Sequence, residues 1–188
     1  MDIKEYIGTL LANPYTRISR EYIGRNHEKT FYLRDNLQYK EGFKTLYGDI
    51  NCYLRENREG PSGCVSLDIN IDALKRGEAV RFKDLLVSSR IENNGVGKYL
   101  MLTAMDYVKN LKEYFEFNDT VPLRGWLSAF DAENGNWRVS LPLYHTVGEL
   151  TGVEHFFEAY DNNHTRYSTP ELFYENASEC GGTIVYMI

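Results

Sequence analysis

The sequence predicts a mixed α/β (α+β) fold with a mostly antiparallel sheet flanked by helices. Three observations lead to this prediction. Residues 64–72 alternate strictly between apolar and polar side chains, residues 98–114 carry an apolar stripe at helical spacing, and residues 183–188 form a closing β-prone run. Antiparallel strands followed by a strand–helix–strand–helix order and a last strand are typical of one sheet covered by helices.

The length of the chain favours one domain. It has 188 residues and a mass of 21.8 kDa, enough to bury a core of its own. No repeat, low-complexity tract or linker divides it, so we expect a single domain over residues 1–188. N-terminal helices are predicted within residues 1–24, where helical spacing of apolar residues stops at Asn13-Pro14 and a second helical piece follows over Thr16–Ile23.

The next part of the chain has the pattern of antiparallel strands. A short β-prone run covers Thr30–Arg34, a longer one covers Phe43–Arg55, and turn-forming residues separate them from the alternating run Cys64–Asp72. Alternation of this kind predicts a hairpin with one covered face. The polar face of the last strand carries Ser66, Asp68, Asn70 and Asp72.

Strands and helices then alternate to the end of the chain. The sequence predicts a strand over Ala79–Ile91, a helix over Lys98–Tyr114, a strand over Pro122–Phe130, a helix over Asn136–Val147 and a last strand over Thr183–Ile188. The segment 149–182 between the last two elements is given no regular structure by these patterns.

The charge distribution argues against nucleic-acid binding. The formal net charge is −6, and residues 149–188 contain seven acidic residues against one basic residue, Arg166, so the rest of the chain is balanced. Nucleic-acid binding normally needs a basic surface, so we expect no nucleic-acid partner. No stretch approaches the roughly 18 apolar residues of a membrane span, and the first residues show no targeting pattern.

The cysteines and histidines predict a reducing compartment and no metal. Three cysteines, with no Cys-x-x-Cys spacing, favour free thiols in the cytoplasm. Four histidines are scattered along the sequence, without the spacing of a zinc site or of a Cys–His nucleophile pair. We therefore expect a cytoplasmic protein with no metal and no membrane partner. The oligomeric state stays open, with a homodimer as one alternative.

The loop between the strand ending near Val87 and the helix from Lys98 predicts an anion site. Glycines let several backbone N–H groups converge, and the helix N-terminus adds partial positive charge. A dinucleotide-binding loop would have Gly or Ala where this chain has Leu100, and a Walker loop would have Gly at position 92 and Ser or Thr at position 99. The chain has Glu92 and Tyr99 at those positions. Neither nucleotide-binding loop therefore fits, and two alternatives stay open: a site for the phosphate of another cofactor class, or an ordinary strand-to-helix turn.

The run from Leu86 to Leu100 resembles the cofactor-binding motif of the GNAT superfamily of acyl-CoA-dependent N-acyltransferases. In that motif a strand is followed by Arg/Gln-x-x-Gly-x-Gly/Ala and a helix, and the interval from Val87 to Gly95 agrees with it. Glu92 departs from the usual Arg or Gln. The resemblance implies that the loop amides bind the pyrophosphate of acetyl-CoA. The cofactor-binding residues it implies here are Leu86, Val87, Glu92, Asn93, Asn94, Gly95, Val96, Gly97 and Lys98.

A second motif resembles the same superfamily, whose next helix carries Asn-x-x-Ala-x-x-Leu-Tyr-x-x-x-Gly. Leu143-Tyr144 followed by Gly148 matches this pattern. The interval from Asn136 to Tyr144 is one residue longer than usual, and Pro142 is unexpected inside a helix. Asn136 is implied as a further cofactor-binding residue. The resemblance covers roughly residues 40–148 and the last strand, and the segment 149–182 belongs to this chain alone.

The chemistry that the resemblance implies is direct transfer of an acetyl group to an amine of a small molecule or a protein, in a sheet that splays at the cofactor site. The main-chain N–H of Val87 would polarise the thioester carbonyl, and Tyr144 would protonate the departing thiolate. Asp84 is the candidate general base. It is three residues from Val87 on the same predicted strand, so the two side chains are expected on opposite faces. Asp68 and Asn70 are candidate substrate-binding residues. A packing role for Tyr144 and a merely solvated face for the others are the alternatives.

Two further functions and two views of the acceptor side stay open. Glu92 and Pro142 favour an acyl-CoA-binding or regulatory module without turnover, whereas the balanced charge argues against an acetyltransferase acting on aminoacyl-tRNA or nucleic acid. Aromatic and acidic side chains between Phe156 and Tyr174 would suit an ammonium group if they formed a wall over the acceptor. Alternatively, these aromatic side chains belong to the core.

Overall fold

The structure is a computed structural model that describes residues 22–23, 30–54, 60–88 and 95–188. Its strands form one nine-stranded sheet in the order β1-β2-β3-β4-β5-β6-β9-β7-β8. The strands are β1 Tyr22–Ile23, β2 Thr30–Lys40, β3 Thr45–Leu54, β4 Gly63–Asn70, β5 Val80–Val87, β6 Pro122–Leu127, β7 Glu154–Ala159, β8 Arg166–Tyr167 and β9 Gly182–Met187. The helices are α1 Ile71–Lys75, α2 Val96–Tyr114, α3 Ala129–Glu133, α4 Trp137–Thr151 and α5 Pro170–Ala177, with a 3-10 turn over Glu41–Phe43.

The sheet is antiparallel at every junction except one. Strands β5 and β6 run parallel, and the chain between them passes through α2. The last strand, β9, lies between β6 and β7 and pairs antiparallel with both. The predicted fold class, a mixed α/β fold with a mostly antiparallel sheet, is therefore confirmed.

One face of the sheet is covered by the long helices. Helix α2 packs against β3, β4, β5 and α4, and α4 packs against β7 and α5. The apolar stripe predicted for α2 is buried, as are the alternate apolar residues of β4. Burying each such side chain contributes about 1.5–3 kcal/mol, so this face is the core of the domain. Within the described ranges, no helix combines the length and apolar character needed to span a membrane.

The polar stripe predicted on β4 is shorter than expected. The strand ends at Asn70, and Ile71–Lys75 turns into α1 instead of continuing to Asp72. The Asn70 side-chain oxygen accepts a hydrogen bond from the Ala73 N–H at 2.8 Å, which is the geometry of a helix N-cap. The N-cap at Asn70 thus ends β4 at this residue, although the apolar–polar alternation predicted a strand up to Asp72.

Strand β6 is also shorter than predicted. It ends at Leu127 because the Ser128 hydroxyl oxygen accepts from the Asp131 N–H and caps α3. Strand β2, in contrast, is longer than the predicted Thr30–Arg34 run and continues to Lys40 opposite β3.

Two other predictions about the ends of the domain need correction. Tyr22–Ile23 pairs with β2 as a strand, so the helix predicted over Thr16–Ile23 is wrong at its last two residues. The rest of residues 1–24 lies outside the described ranges. The segment 149–182, for which no regular structure was predicted, contains the end of α4, β7, β8 and α5.

Candidate cofactor and active site

Strands β5 and β6 separate in the middle of the sheet. They pair only over Val80–Phe82 and Leu123–Gly125, yet β5 continues to Val87 and β6 to Leu127. The ends of the two strands therefore flank a gap. The splay that the family resemblance implied is present, and it begins after Phe82.

A β-bulge in β5 accompanies this separation. Asp84 and Leu85 together lie opposite Val65 of β4, one residue more than regular pairing allows. Asp84 has a φ of 48°, the left-handed region that few non-glycine residues adopt. An extra residue of this kind bends its strand and increases its twist, which gives a physical reason for the divergence from β6.

The backbone N–H of Val87 points toward the gap. Ser88 donates its N–H to the Ser62 carbonyl of the segment before β4 at 2.8 Å. Antiparallel partners alternate between hydrogen-bonded and non-hydrogen-bonded pairs. The adjacent pair of Val87 and Gly63 is thus of the second kind, and its N–H groups are directed away from the β4–β5 ladder.

Helix α2 begins next to this strand end, two residues before the predicted start at Lys98. Gly95 is the residue before the helix and has φ 78° and ψ 7°, a conformation that glycine adopts without strain. The N–H groups of Val96, Gly97 and Lys98 have no acceptor within the helix because they belong to its first turn, and Gly95 has no side chain that could cap them. The predicted cofactor residues Glu92, Asn93 and Asn94 lie outside the described residues.

Gly97 brings the two sequence motifs into contact. A Cβ at this position would lie 2.9 Å from Leu143 Cδ1 of α4 and 3.6 Å from Val87 Cγ2 of β5. The start of α2 therefore packs closely against both the splayed strand and the helix that carries Tyr144. Any anion bound at the first turn of α2 would lie near both elements.

Tyr144 lies where β5 and β6 begin to separate. Its ring centroid is 5.8 Å from that of Phe82, the last β5 residue paired with β6. The side chain is buried, and its main-chain carbonyl accepts a hydrogen bond from the Tyr186 hydroxyl at 2.8 Å. Burial, and to a smaller extent the negative charge of Asp131, raises the pKa of the Tyr144 hydroxyl far above its ordinary value. The phenol therefore stays protonated and neutral at any physiological pH.

The face of the sheet opposite α2 carries exposed apolar side chains on both sides of the gap. Leu86 of β5 is 62% exposed and Trp126 of β6 is 73% exposed. The strand register puts them on the same face, the one that also carries Arg81 and Arg124. Trp126 was not among the residues singled out from the sequence. The sequence did carry a signal for it, because Trp126 is two residues from the polar Arg124 and therefore shares its face of the strand, opposite the buried Leu123.

Asp84 is exposed at the bulge, and its carbonyl accepts a weak hydrogen bond from the Cys64 thiol at 3.8 Å. Both Asp84 and the Val87 N–H thus lie on the part of β5 that flanks the gap. Because of the bulge, the side chains of Leu85 and Val87 share the core-facing side while Asp84 stays in solvent.

The predicted substrate residues have other partners. Asp68 forms an ion pair with Lys83 at 3.0 Å, and both line an open depression of about 570 Å³ on the outer face of β2–β5. Asn70 uses its side-chain oxygen as the cap of α1 and donates to the Phe43 carbonyl at 3.3 Å. The described hydrogen bonds and ion pair of Asp68 and Asn70 are thus made to residues other than Tyr144. Asn70 acts as the N-cap of α1.

Asn136 directly precedes α4, eight residues before Tyr144. Its side-chain amide donates to Asp131 Oδ1 at 3.1 Å and is exposed. Asp131 in turn accepts from the Ser128 hydroxyl at 2.6 Å. This small network orders the turn between α3 and α4, and a cofactor-binding role for Asn136 stays a prediction.

The aromatic residues of segment 149–182 belong mainly to the core. Phe157 and Phe173 are fully buried and stack with centroids 5.4 Å apart, and Trp137 stacks on Phe173 at 5.0 Å. Among the acidic residues, Glu158 is paired with Arg124 at 3.0 Å. This favours the core alternative over an acidic, aromatic wall above the acceptor.

Two of the histidines that are scattered along the sequence, His145 and His155, meet in the fold. His145 Nδ1 and His155 Nε2 are 2.9 Å apart, because β7 passes beside α4. The absence of a suitable spacing in the sequence therefore did not exclude a cluster in the fold.

Comparison with known proteins gives one distant structural likeness. No protein-family model and no curated protein match the sequence. Among solved structures, the chain is similar to N-acetylglutamate synthase from Neisseria gonorrhoeae in complex with coenzyme A and N-acetyl-glutamate. The sequences are 14% identical, the TM-score is 0.37, and the match covers 74% of this chain and 26% of the synthase. The chain thus spans about a quarter of that protein's length, so the function proposed below depends on its own residues.

Proposed function

We propose that the protein is an acyl-CoA-dependent N-acetyltransferase that transfers an acetyl group from acetyl-CoA to an amine by direct attack. One observation carries the proposal: the first turn of α2, the diverging end of β5 and the Tyr144 helix meet around Gly97. An anion site, an open strand edge and a buried phenol are the three parts that such a transfer needs.

The first turn of α2 suits a diphosphate group. The N–H groups of Val96, Gly97 and Lys98 point out of the helix start, and the helix dipole favours negative charge there. Lys98 adds a positive side chain to the same turn. The lack of a side chain at Gly97 keeps the backbone close to β5 and α4, so a ligand bound there is directed toward the gap.

The edge of β5 suits the amide-containing arm of the cofactor. Main-chain groups that face the gap after Phe82 no longer have a β6 partner, and an extended amide chain would pair with them as an added strand does. The bound cofactor would supply an activated thioester carbonyl. The Val87 N–H, directed into the gap, would donate a hydrogen bond to that carbonyl oxygen as negative charge develops on it.

Tyr144 suits the role of proton donor. Its burial keeps the hydroxyl protonated, and a thiolate leaving group needs one proton as it departs. For the proton that the attacking ammonium must first lose, Asp84 at the bulge is the candidate base, either directly or through water. Leu86 and Trp126 would offer an apolar rim to the acceptor on the outer face.

Calorimetry with coenzyme A and with pantetheine tests the cofactor part of this proposal. Both ligands carry the same thiol arm, but only coenzyme A has the pyrophosphate, so we expect binding of coenzyme A and at least 10-fold weaker binding of pantetheine. Equal affinities, or no binding of acetyl-CoA, would rule out the anion site at α2.

Release of free thiol from acetyl-CoA tests the reaction. A panel of polyamines, aminoglycosides, lysine-containing peptides and aminoacyl-tRNA would identify the acceptor class, with uncatalysed hydrolysis as the baseline. We expect turnover with a small-molecule or peptide amine. Tight binding of acetyl-CoA without release in the presence of any amine would instead assign the protein as a binding or regulatory module.

A further inference from the structure

A second cluster of polar side chains lies on the side of α4 next to Tyr144. His145 and Glu149 are one helical turn apart and therefore share a face of α4, and His155 of β7 lies opposite them. His155 Nε2 is 2.9 Å from His145 Nδ1 and 4.0 Å from Glu149 Oε1. One ligand atom from each of the three residues falls within 4.8 Å of the others.

His155 is held in one orientation by its surroundings. Its Nδ1 lies 3.0 Å from the Val153 carbonyl, which only accepts, so Nδ1 carries the proton and donates. Nε2 then carries the lone pair, which accepts a hydrogen bond from Nδ1–H of His145. The ring packs flat against the backbone of Gly148, where any Cβ would collide with it, and contacts the Tyr186 ring. An imidazole that donates its remote N–H to a backbone carbonyl is the arrangement that metal-binding histidines use.

We propose that His145, Glu149 and His155 bind one divalent transition-metal ion, with Zn²⁺ as the preferred ion. Two imidazoles and one carboxylate with a fourth position open to water are a known zinc ligand set. Tetrahedral zinc with bonds of roughly 2.0–2.1 Å holds its ligand atoms roughly 3.3 Å apart. The distances from His155 Nε2 to His145 Nδ1, 2.9 Å, and to Glu149 Oε1, 4.0 Å, lie on either side of this value.

Little movement is needed to form this site. The Glu149 side chain is 67% exposed and is free to rotate toward the two imidazoles. His145 would bind the metal through Nδ1, and the proton that Nδ1 donates to His155 would move to Nε2, so that the ring stays neutral. His155, whose side chain is 7% exposed, stays in place, since its hydrogen bond to Val153 already fixes the ligating nitrogen. A bound ion would tie α4 to β7 one residue away from Tyr144.

This proposal is independent of acyl transfer and is tested by metal binding alone. Purified untagged protein is titrated with Zn²⁺ by calorimetry and with Co²⁺ by visible absorption, which reports the coordination geometry. We expect one ion per chain, a tetrahedral or five-coordinate Co²⁺ spectrum, and a higher melting temperature with Zn²⁺, because the ion binds only the folded arrangement.

The variants Glu149→Gln and His145→Ala should weaken Zn²⁺ binding by more than about 10-fold. Glu149→Gln changes a mostly exposed group, so it keeps the test valid if His145→Ala does not fold. The matched control is His164→Asn, which removes an exposed histidine from a position with φ 49° that asparagine tolerates.

Three results would overturn the proposal. The first is the absence of stoichiometric binding by the folded wild-type protein. The second is equal Zn²⁺ affinity in Glu149→Gln, His164→Asn and wild type. The third is a thiolate charge-transfer band in the Co²⁺ complex, which would assign the ion to a cysteine such as the exposed Cys180.

Discussion

Phe82 of β5 lies across Gly125 of β6 at the last position where the two strands pair. The Phe82 ring occupies the space that a side chain at Gly125 would need, and it also contacts the ring of Tyr144. The point at which the sheet opens is thus fixed by one aromatic ring between a glycine and the candidate proton donor.

Replacing Gly125 with alanine should therefore destabilise the protein. The added methyl group would collide with Phe82, and inserting a methyl group into a packed core costs about 1–3 kcal/mol. The matched control is Gly42→Ala, since a Cβ at Gly42 has no heavy atom within 4 Å. Urea unfolding of both variants checks the prediction, and equal midpoints for the two would show that Phe82 moves aside without cost.

Reversing the charge of Lys98 should separate helix stability from cofactor binding. An acidic residue in the first turn of α2 favours the helix by about 0.5 kcal/mol, but it repels a pyrophosphate at the same turn. We expect Lys98→Glu to unfold no more easily than wild type and to bind coenzyme A at least 10-fold more weakly.

The control for this prediction is Lys109→Glu on the same helix. It changes the net charge equally but lies about 16 Å further along the axis. If both variants lose the same affinity in calorimetry, the effect is one of overall charge and not of a site at the start of α2.

Removal of the Tyr144 hydroxyl should affect turnover but not cofactor affinity. Tyr144→Phe keeps the ring packed on Phe82 and removes the proposed general acid, so we expect kcat to fall about 10²-fold. Because burial raises the pKa of Tyr144, the donor form persists to high pH, and the wild-type rate should not fall through Tyr144 ionisation below pH ~10. Tyr160→Phe is the control: it removes the hydroxyl of a tyrosine that is 46% exposed, together with the hydrogen bond that this hydroxyl accepts from Thr183. Unchanged kcat in Tyr144→Phe would leave this residue a packing role only.

The parts of the site that the sequence predicted are those built from neighbouring residues. A glycine in the left-handed region followed by a helix start is a local arrangement, so Gly95–Lys98 could be recognised in the sequence. The bulge at Asp84 also left a signal, since Leu85, Leu86 and Val87 break the alternation of β5.

What the sequence could not predict comes from the arrangement of elements in space. The contact of Gly97 with Leu143 and the contact of His145 with His155 each join separate elements. The second depends on β9 entering the sheet between β6 and β7. The spacing of residues in the sequence does not show that β9 lies between β6 and β7. That position depends on which neighbours cover the apolar residues of β9.

Glu158 should contribute to stability through its ion pairs with two arginines. Its side chain is 9% exposed and lies 3.0 Å from Arg124 Nη1 and 3.5 Å from Arg166 Nε. Glu158→Gln would leave the two guanidinium groups facing a neutral amide, and we expect a loss of about 1–3 kcal/mol in the free energy of unfolding. Glu154→Gln, at an exposed position of the same strand, should change it by less than about 0.5 kcal/mol. A similar loss in both variants would contradict a special role for the Glu158 pairs.

The last prediction concerns the buried thiol of Cys52. The side chain is 1% exposed, and burial raises the pKa of this thiol from 9.0 to about 12. Native protein at pH 8 should therefore react with a thiol reagent at Cys180, which is exposed, while Cys52 reacts only after unfolding.

The raised pKa of Cys52 also makes stability depend on pH. Since the folded state holds the proton more tightly than the unfolded chain, the stability that this gives is fully present below pH 9. It is lost as the pH rises toward 12, by at most about 1.4 kcal/mol per pH unit. Urea unfolding at pH 8, 9 and 10 should show a steeper loss for wild type than for Cys52→Ala. Parallel pH dependences in the two proteins, or rapid labelling of Cys52 at pH 8, would mean that the thiol is not sealed in the core.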